Sequence, residues 1–238
     1  MRATFTIVAL ALSFQVSAQS CDQEPFKSTR EALFKELEPS LSSCVLMPGD
    51  PQTGAALFAF ERSSSTEDVK TYDVDLLLID ARSNKPKARL SLKGVWQSDA
   101  YKIDSAEISK VDYQVRRGAT VFGLTESWSA SSSVSFFNIN KLSLFVQRGT
   151  TIVPLLTELV TEIYQGEGCD LHTTREIEIQ PSRTRGYAPI RVLEHRVGIA
   201  RENLTCPPVT VERRSDLLRY RNGTYFVPEH LKPSGAAQ

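Results

Sequence analysis

Charge of one sign, nucleotide-binding glycine loops, metal-ligand spacings and hydrolase elbows are all missing from this sequence. Lys and Arg number 28, as do Asp and Glu. Without a basic excess there is no electrostatic footprint for non-specific nucleic-acid binding, and none is expected. Only 12 Gly and 12 Pro occur in 238 residues, which excludes collagen-like and wholly disordered classes. A Gly-x-Gly-x-x-Gly turn, a Walker-type loop and a His-Glu-x-x-His pair are absent. So is a Gly-x-Ser-x-Gly elbow, and no lysine follows a serine by three positions. His172, His195 and His230 are too widely spaced for a short-range zinc motif. No metal, cofactor or catalytic residue is expected from these patterns. Cysteine is scarce, with four residues and no Cys-x-x-Cys.

What is present begins with an export pattern. Met1-Arg2, an apolar run from Ala3 to Phe14, and Val16-Ser17-Ala18 before Gln19 have the anatomy of a secretory signal peptide over residues 1–18. No later stretch reaches eighteen apolar residues, so no transmembrane segment is expected. In an exported chain, Cys21, Cys44, Cys169 and Cys206 read as disulfides, with three pairings possible. Cys21–Cys44 and Cys169–Cys206 are preferred because each pair brackets one short segment. Residues 171–238 carry eleven bases against seven acids, whereas 19–170 carry sixteen against twenty-one, so the C-terminal part is the basic one.

Ser28 and Glu31 have capping-box spacing, and Leu33, Phe34, Leu37 and Leu41 follow at near-helical intervals. Pro39 limits this helix to about 28–38, within an N-terminal segment 19–50. From 51 to 238 the pattern is that of strands. Tyr72, Val74, Leu76 and Leu78 alternate with Asp73 and Asp75 in the run Thr71–Asp80. Further strands are expected over Ala56–Arg62, from Ala88 toward Trp96, and over Val111–Val115, Thr120–Trp128, Val134–Ile139 and Lys141–Gln147. Ile152–Ile163 has some helical periodicity, but Pro154 and its β-branched residues favour a strand with room for one helical turn. Asn222-Gly223 between Leu217–Arg221 and Thr224–Val227 is a hairpin signal, since both residues tolerate positive φ. The fold class expected is mainly β, an antiparallel β-sandwich or open barrel with a short N-terminal helix.

Candidates for chemistry are few. His195 needs a distant carboxylate to act as a base, because Glu194 points to the opposite face of a strand. Asp73 and Asp75 share a face and resemble half of a hard-cation site. Glu126, Ser127, Ser129 and Ser131–Ser133 surround Trp128 in a hydroxyl-rich stretch that reads as a contact surface or a solvated connection. Interface anchors are usually Tyr, Trp and Arg. On that basis Tyr187, Arg191, Arg213, Arg214, Arg219, Tyr220, Arg221 and Trp128 are the expected partner-binding residues. Asn203 and Asn222 open Asn-x-Thr sequons, which matter only in a eukaryotic secretory pathway.

The order of Tyr72-Asp73-Val74-Asp75-Leu76-Leu77, Gly118–Leu124, Leu142–Val146 and Leu218–Tyr225 resembles a group of β-rich proteins exported by Gram-negative bacteria. The likeness spans about residues 55–228. Some proteins of this look are immunity proteins against type VI secretion effectors, such as lipases. The resemblance implies a periplasmic location and a protein partner, including an antibacterial effector neutralised by occlusion, and it carries over no catalytic residue. The reading is therefore a periplasmic, non-catalytic protein-binding module. A secreted hydrolase centred on His195 and an envelope structural protein are the alternatives.

Overall fold

A computed structural model describes residues 20–131, 136–167, 169–199 and 212–233. The expected signal peptide lies outside these residues, as does Cys206 and hence its pairing with Cys169. In chain order the elements are α1 (Phe26–Phe34), β1 (Leu41–Met47), β2 (Asp50–Glu61), β3 (Lys70–Asp80), β4 (Lys85–Ser98), β5 (Lys102–Ile108) and β6 (Val121–Ser131). They continue with β7 (Phe136–Arg148), β8 (Thr151–Glu167), β9 (Cys169–Ile179), β10 (Ile190–Ile199), β11 (Glu212–Leu218), β12 (Tyr220–Arg221) and β13 (Thr224–Tyr225). A short 3-10 turn covers Glu229–Leu231. The protein is mainly β, and no helix among the described residues is long and apolar enough to cross a membrane.

One 11-stranded sheet runs β1-β2-β3-β4-β8-β7-β6-β5, with β9, β10 and β11 continuing from β8. Its ladders are antiparallel with one exception, which corrects the wholly antiparallel expectation: β4 meets β8 in parallel at Arg89 and Thr151. The sheet curls so that its ends approach, and Ile108 N–H donates to Ser43 Oγ at 2.9 Å. No ladder joins β1 to β5, so the sheet is not closed.

Both faces of β2 and β3 are covered, and this explains their continuous apolar runs. On the inner face, Leu57, Val74, Leu76, Leu78, Phe122 and Phe145 belong to one core. On the outer face of β2 and β3, Phe58, Leu77 and Ile79 pack beneath Phe26 and Phe34 of α1. The outer face of β7 and β8 supplies Leu142, Leu144, Leu155 and Leu159 to a third core with Tyr187, Ile190 and Tyr225. Cys21 and Cys44 are bonded, joining the chain before α1 to β1. Closing a loop with a sequence separation of 23 contributes about 3 kcal/mol in the chain-entropy picture.

Several local expectations change. The helix begins at Phe26, behind Pro25 at its N-cap, so Ser28 lies inside the first turn and donates to Glu24 instead of capping. Residues 41–47 form β1 within the segment expected to be helical, because pairing with β2 overrides a weak, serine-diluted pattern. Val111–Val115 is a loop, not a strand; it tucks buried Tyr113 and Val115 into the third core. The two strands expected over 134–147 are, from Phe136 on, one strand, β7. Ile152–Ile163 is extended without a helical turn, and Glu158 there takes φ 56° at an irregular stretch of the β7–β8 ladder. Asn222 and Gly223 adopt the expected positive φ values, 50° and 98°, in the β12–β13 hairpin.

Candidate functional site

β4 touches β8 only at its first residue and β9 pairs only its last six, Glu162–Glu167. Between those contacts the edge of β8 has no ladder partner among the described residues. Side chains substitute for a strand: Thr224 Oγ1 donates to Leu155 O at 2.8 Å, and Arg175 Nη1 to Val160 O at 2.9 Å. Because β4 and β8 diverge, a cavity of about 650 Å³ opens between β3–β4 on one side and β6–β8 on the other.

Val74, Leu90, Leu92, Leu124 and Phe145 make its walls apolar, and Trp96, Tyr101 and Trp128 add aromatic surface. Strand alternation also turns charge inward. On β6 the positions Phe122, Leu124, Glu126 and Trp128 share the inner face, so Glu126 must point into the cavity. Lys141 follows Ile139 inward on β7 by the same rule and is 6% exposed. Trp128 Nε1 donates to Glu126 Oε2 at 3.2 Å, and Trp96 is a second indole donor to the same carboxylate. The Lys141 ammonium lies 5.0 Å from the Trp128 ring centroid, within cation–π range. Burial pushes the Glu126 carboxyl above the ordinary range; the two indoles and Lys141 oppose the shift, and Glu158 adds to it. The arrangement can enclose an apolar body and fix one polar group.

No family model, curated protein or solved structure matches this chain. Function must therefore be read from its own side chains.

The expected partner-binding residues divide into two groups. Trp128 is 6% exposed and Tyr187 5%, so neither is available as a surface anchor. Trp128 is a cavity wall on a strand and not part of a solvated connection. Tyr187 stacks on half-buried Tyr220 with ring centroids 3.6 Å apart, and Arg116 donates to its hydroxyl at 3.1 Å. Burial acts to raise the Tyr187 phenol, but hydrogen bonds with Tyr220, Arg148 and Arg116 outweigh it and hold the phenol below its ordinary value. Arg191, Arg213, Arg214, Arg219 and Arg221 are exposed. Arg191 faces Glu178 at 3.7 Å and Arg214 faces Asp216 at 3.5 Å.

His195 lies on β10 opposite Thr174 and Arg213 and is not among the residues that line the β4–β8 cavity. Two other histidines meet carboxylates: His230 Nε2 is 3.1 Å from Asp216 Oδ2, and His172 Nε2 is 2.7 Å from Glu162 Oε1. Asn140 Nδ2 donates to the other Glu162 oxygen at 2.7 Å, and Ser127, Asn138 and Tyr164 complete this shallow outer groove. Asp73 and Asp75 face bases. Arg89 and Ser91 donate to Asp75, while Lys93 and the Gly94 N–H donate to Asp73. No cluster of three metal-ligating side chains occurs among the described residues.

Sequence reasoning placed Glu126 in a contact surface or solvated connection and gave Lys141 no role. The available signal was parity: Glu126 stands two residues from both Leu124 and Trp128, which puts a carboxylate in the apolar register of an alternating strand.

Proposed function

We propose that this protein is a non-catalytic binding protein that houses a small apolar or amphiphilic molecule in the β4–β8 cleft. The observation that carries this reading is a cavity of about 650 Å³ whose aliphatic and aromatic walls surround the inward-facing Glu126 and Lys141. That is the usual composition of a small-molecule site. The curled, unclosed sheet is read here as an open barrel, with the cleft as its mouth. Export to the periplasm accompanies this reading; its support is the leader pattern and the Cys21–Cys44 disulfide.

The neutral dye Nile red tests it. Its fluorescence is expected to rise and saturate with the wild-type protein. Leu92→Trp, which adds bulk at a half-buried wall position, is expected to weaken dye binding by about tenfold or more, about 1.4 kcal/mol, with an unchanged circular dichroism spectrum. Equal affinity in the two proteins would remove the cleft from consideration.

A protein partner is the second reading, favoured by the basic rim of the β10–β11 layer. β11 pairs only with β10 among the described residues, and Arg213 and Arg214 stand exposed on that edge. An acidic protein surface, such as that of an antibacterial effector, suits this edge. Arg214→Glu is expected to slow association with such a partner and reduce its salt dependence. If affinity purification from the native envelope recovers the same partner equally well with the variant, this edge is not the interface.

A further inference from the structure

The cleft carries more acid than base, and its one internal cation shows what its interior stabilises. Glu126 enters from β6, Lys141 from β7, Glu158 from β8, and Asp99 from the turn between β4 and β5. Lys141 places an ammonium over the face of Trp128, close enough to Glu126 to favour its ionised form. An indole face beside a carboxylate is a recurrent way to bind an ammonium group. A second indole, Trp96, donates to the same carboxylate from the opposite wall, so Glu126 is held in place by two donors.

We propose that the molecule held in the cleft is a cationic amphiphile whose amine head sits against Glu126, between Trp96 and Trp128, with its apolar tail along Leu90, Leu92 and Phe145. This assignment rests on the cleft-binding reading and adds the headgroup to it. An anionic head would meet Glu126 and Glu158 with Lys141 as its single cationic partner. A neutral head leaves the desolvated carboxylate without further compensation. A cation supplies that compensation, against the repulsion of the Lys141 ammonium over the Trp128 face.

The proposal has a proton signature. Burial raises the Glu126 carboxyl, so a proton competes for it at higher pH than for an ordinary carboxylate. An alkylammonium favours the ionised carboxylate and displaces that proton, so its binding tightens as pH rises through the Glu126 titration. The other groups facing Glu126 are Lys141 and Glu158; Trp96 and Trp128 do not titrate in this range.

The test uses the full chain and three probes with the same tail: dodecylammonium, dodecanol and dodecanoate. Each competes with Nile red below its critical micelle concentration. Dodecylammonium is expected to displace the dye at about tenfold lower concentration than either other probe near neutral pH. Its advantage should grow as pH rises through the Glu126 titration. Glu126→Gln should cut that advantage by about tenfold and flatten its pH dependence. If dodecanoate matches or exceeds dodecylammonium, or if Glu126→Gln preserves the preference, the headgroup assignment is overturned and the cleft reading stands. If Nile red binds but none of the three displaces it, the assignment is again overturned. If Nile red itself does not bind, both readings fall.

Discussion

Arg175→Ala is expected to destabilise the protein by about 3–5 kcal/mol, because it leaves a buried carboxylate without its main counter-charge. Arg175 reaches across from β9 with a side chain 3% exposed, and its Nε donates to Glu194 Oε2 at 2.8 Å. Glu194 is 8% exposed, and its next nearest cation is Arg196 at 3.6 Å. The same guanidinium donates to Val160 O and to His230 O, so it ties the unpaired edge of β8 to the C-terminal turn as well as to β10. Urea denaturation of the single variant checks the magnitude. An Arg175→Met, Glu194→Leu double variant should recover much of the loss, since it removes both charges at similar volume. A single variant that costs under about 1 kcal/mol would show that this pair does not hold the β9–β11 layer in place.

Phe26→Ala should cost a similar amount, about 3–5 kcal/mol, through the cavity left under α1. Phe26 is completely buried and rests directly on Gly54 of β2. A Cβ added at Gly54 would stand 2.7 Å from Phe26 Cε1, so Gly54→Ala alone should cost about 1–3 kcal/mol by overpacking. The two sites share one space. The Phe26→Ala, Gly54→Ala double variant should therefore be more stable than the sum of the single losses predicts, and a double-mutant cycle measures the difference. Strict additivity would mean that the ring and the glycine do not form a matched pair. This contact matters to the fold because α1 is the cover that lets β2 and β3 be apolar on both faces.

The apolar character of β2 and β3 also shows how sequence patterns mislead. The alternation of Tyr72, Val74, Leu76 and Leu78 marks the inner face correctly. Leu77 and Ile79 break that alternation, and their reason lies some fifty residues earlier in the chain, in the helix that covers them. Ser28 and Glu31 have the spacing of a helix start, yet Pro25, with its fixed φ, suits the N-terminus better and the helix begins before them. Glu126 looks polar and solvated when read beside Ser127 and Ser129. Read at intervals of two it belongs with Leu124 and Trp128, and only the second reading survives folding. The five exposed arginines were recognisable as surface residues from composition, whereas Trp128 and Tyr187 were not recognisable as buried.

By itself the sequence determined the β class, the Asn222-Gly223 hairpin and the inner face of β3. Each depends on residues close together in the chain, where backbone sterics and alternation act directly. Tertiary structure alone decided that β4 would meet β8 in parallel at one point and then diverge, turning part of an inner face into a cavity wall. Strand order is a contest among distant pairings of similar energy, so no local pattern encodes it. Whether an inward carboxylate ends in a packed core or in an open cleft follows from which strands win.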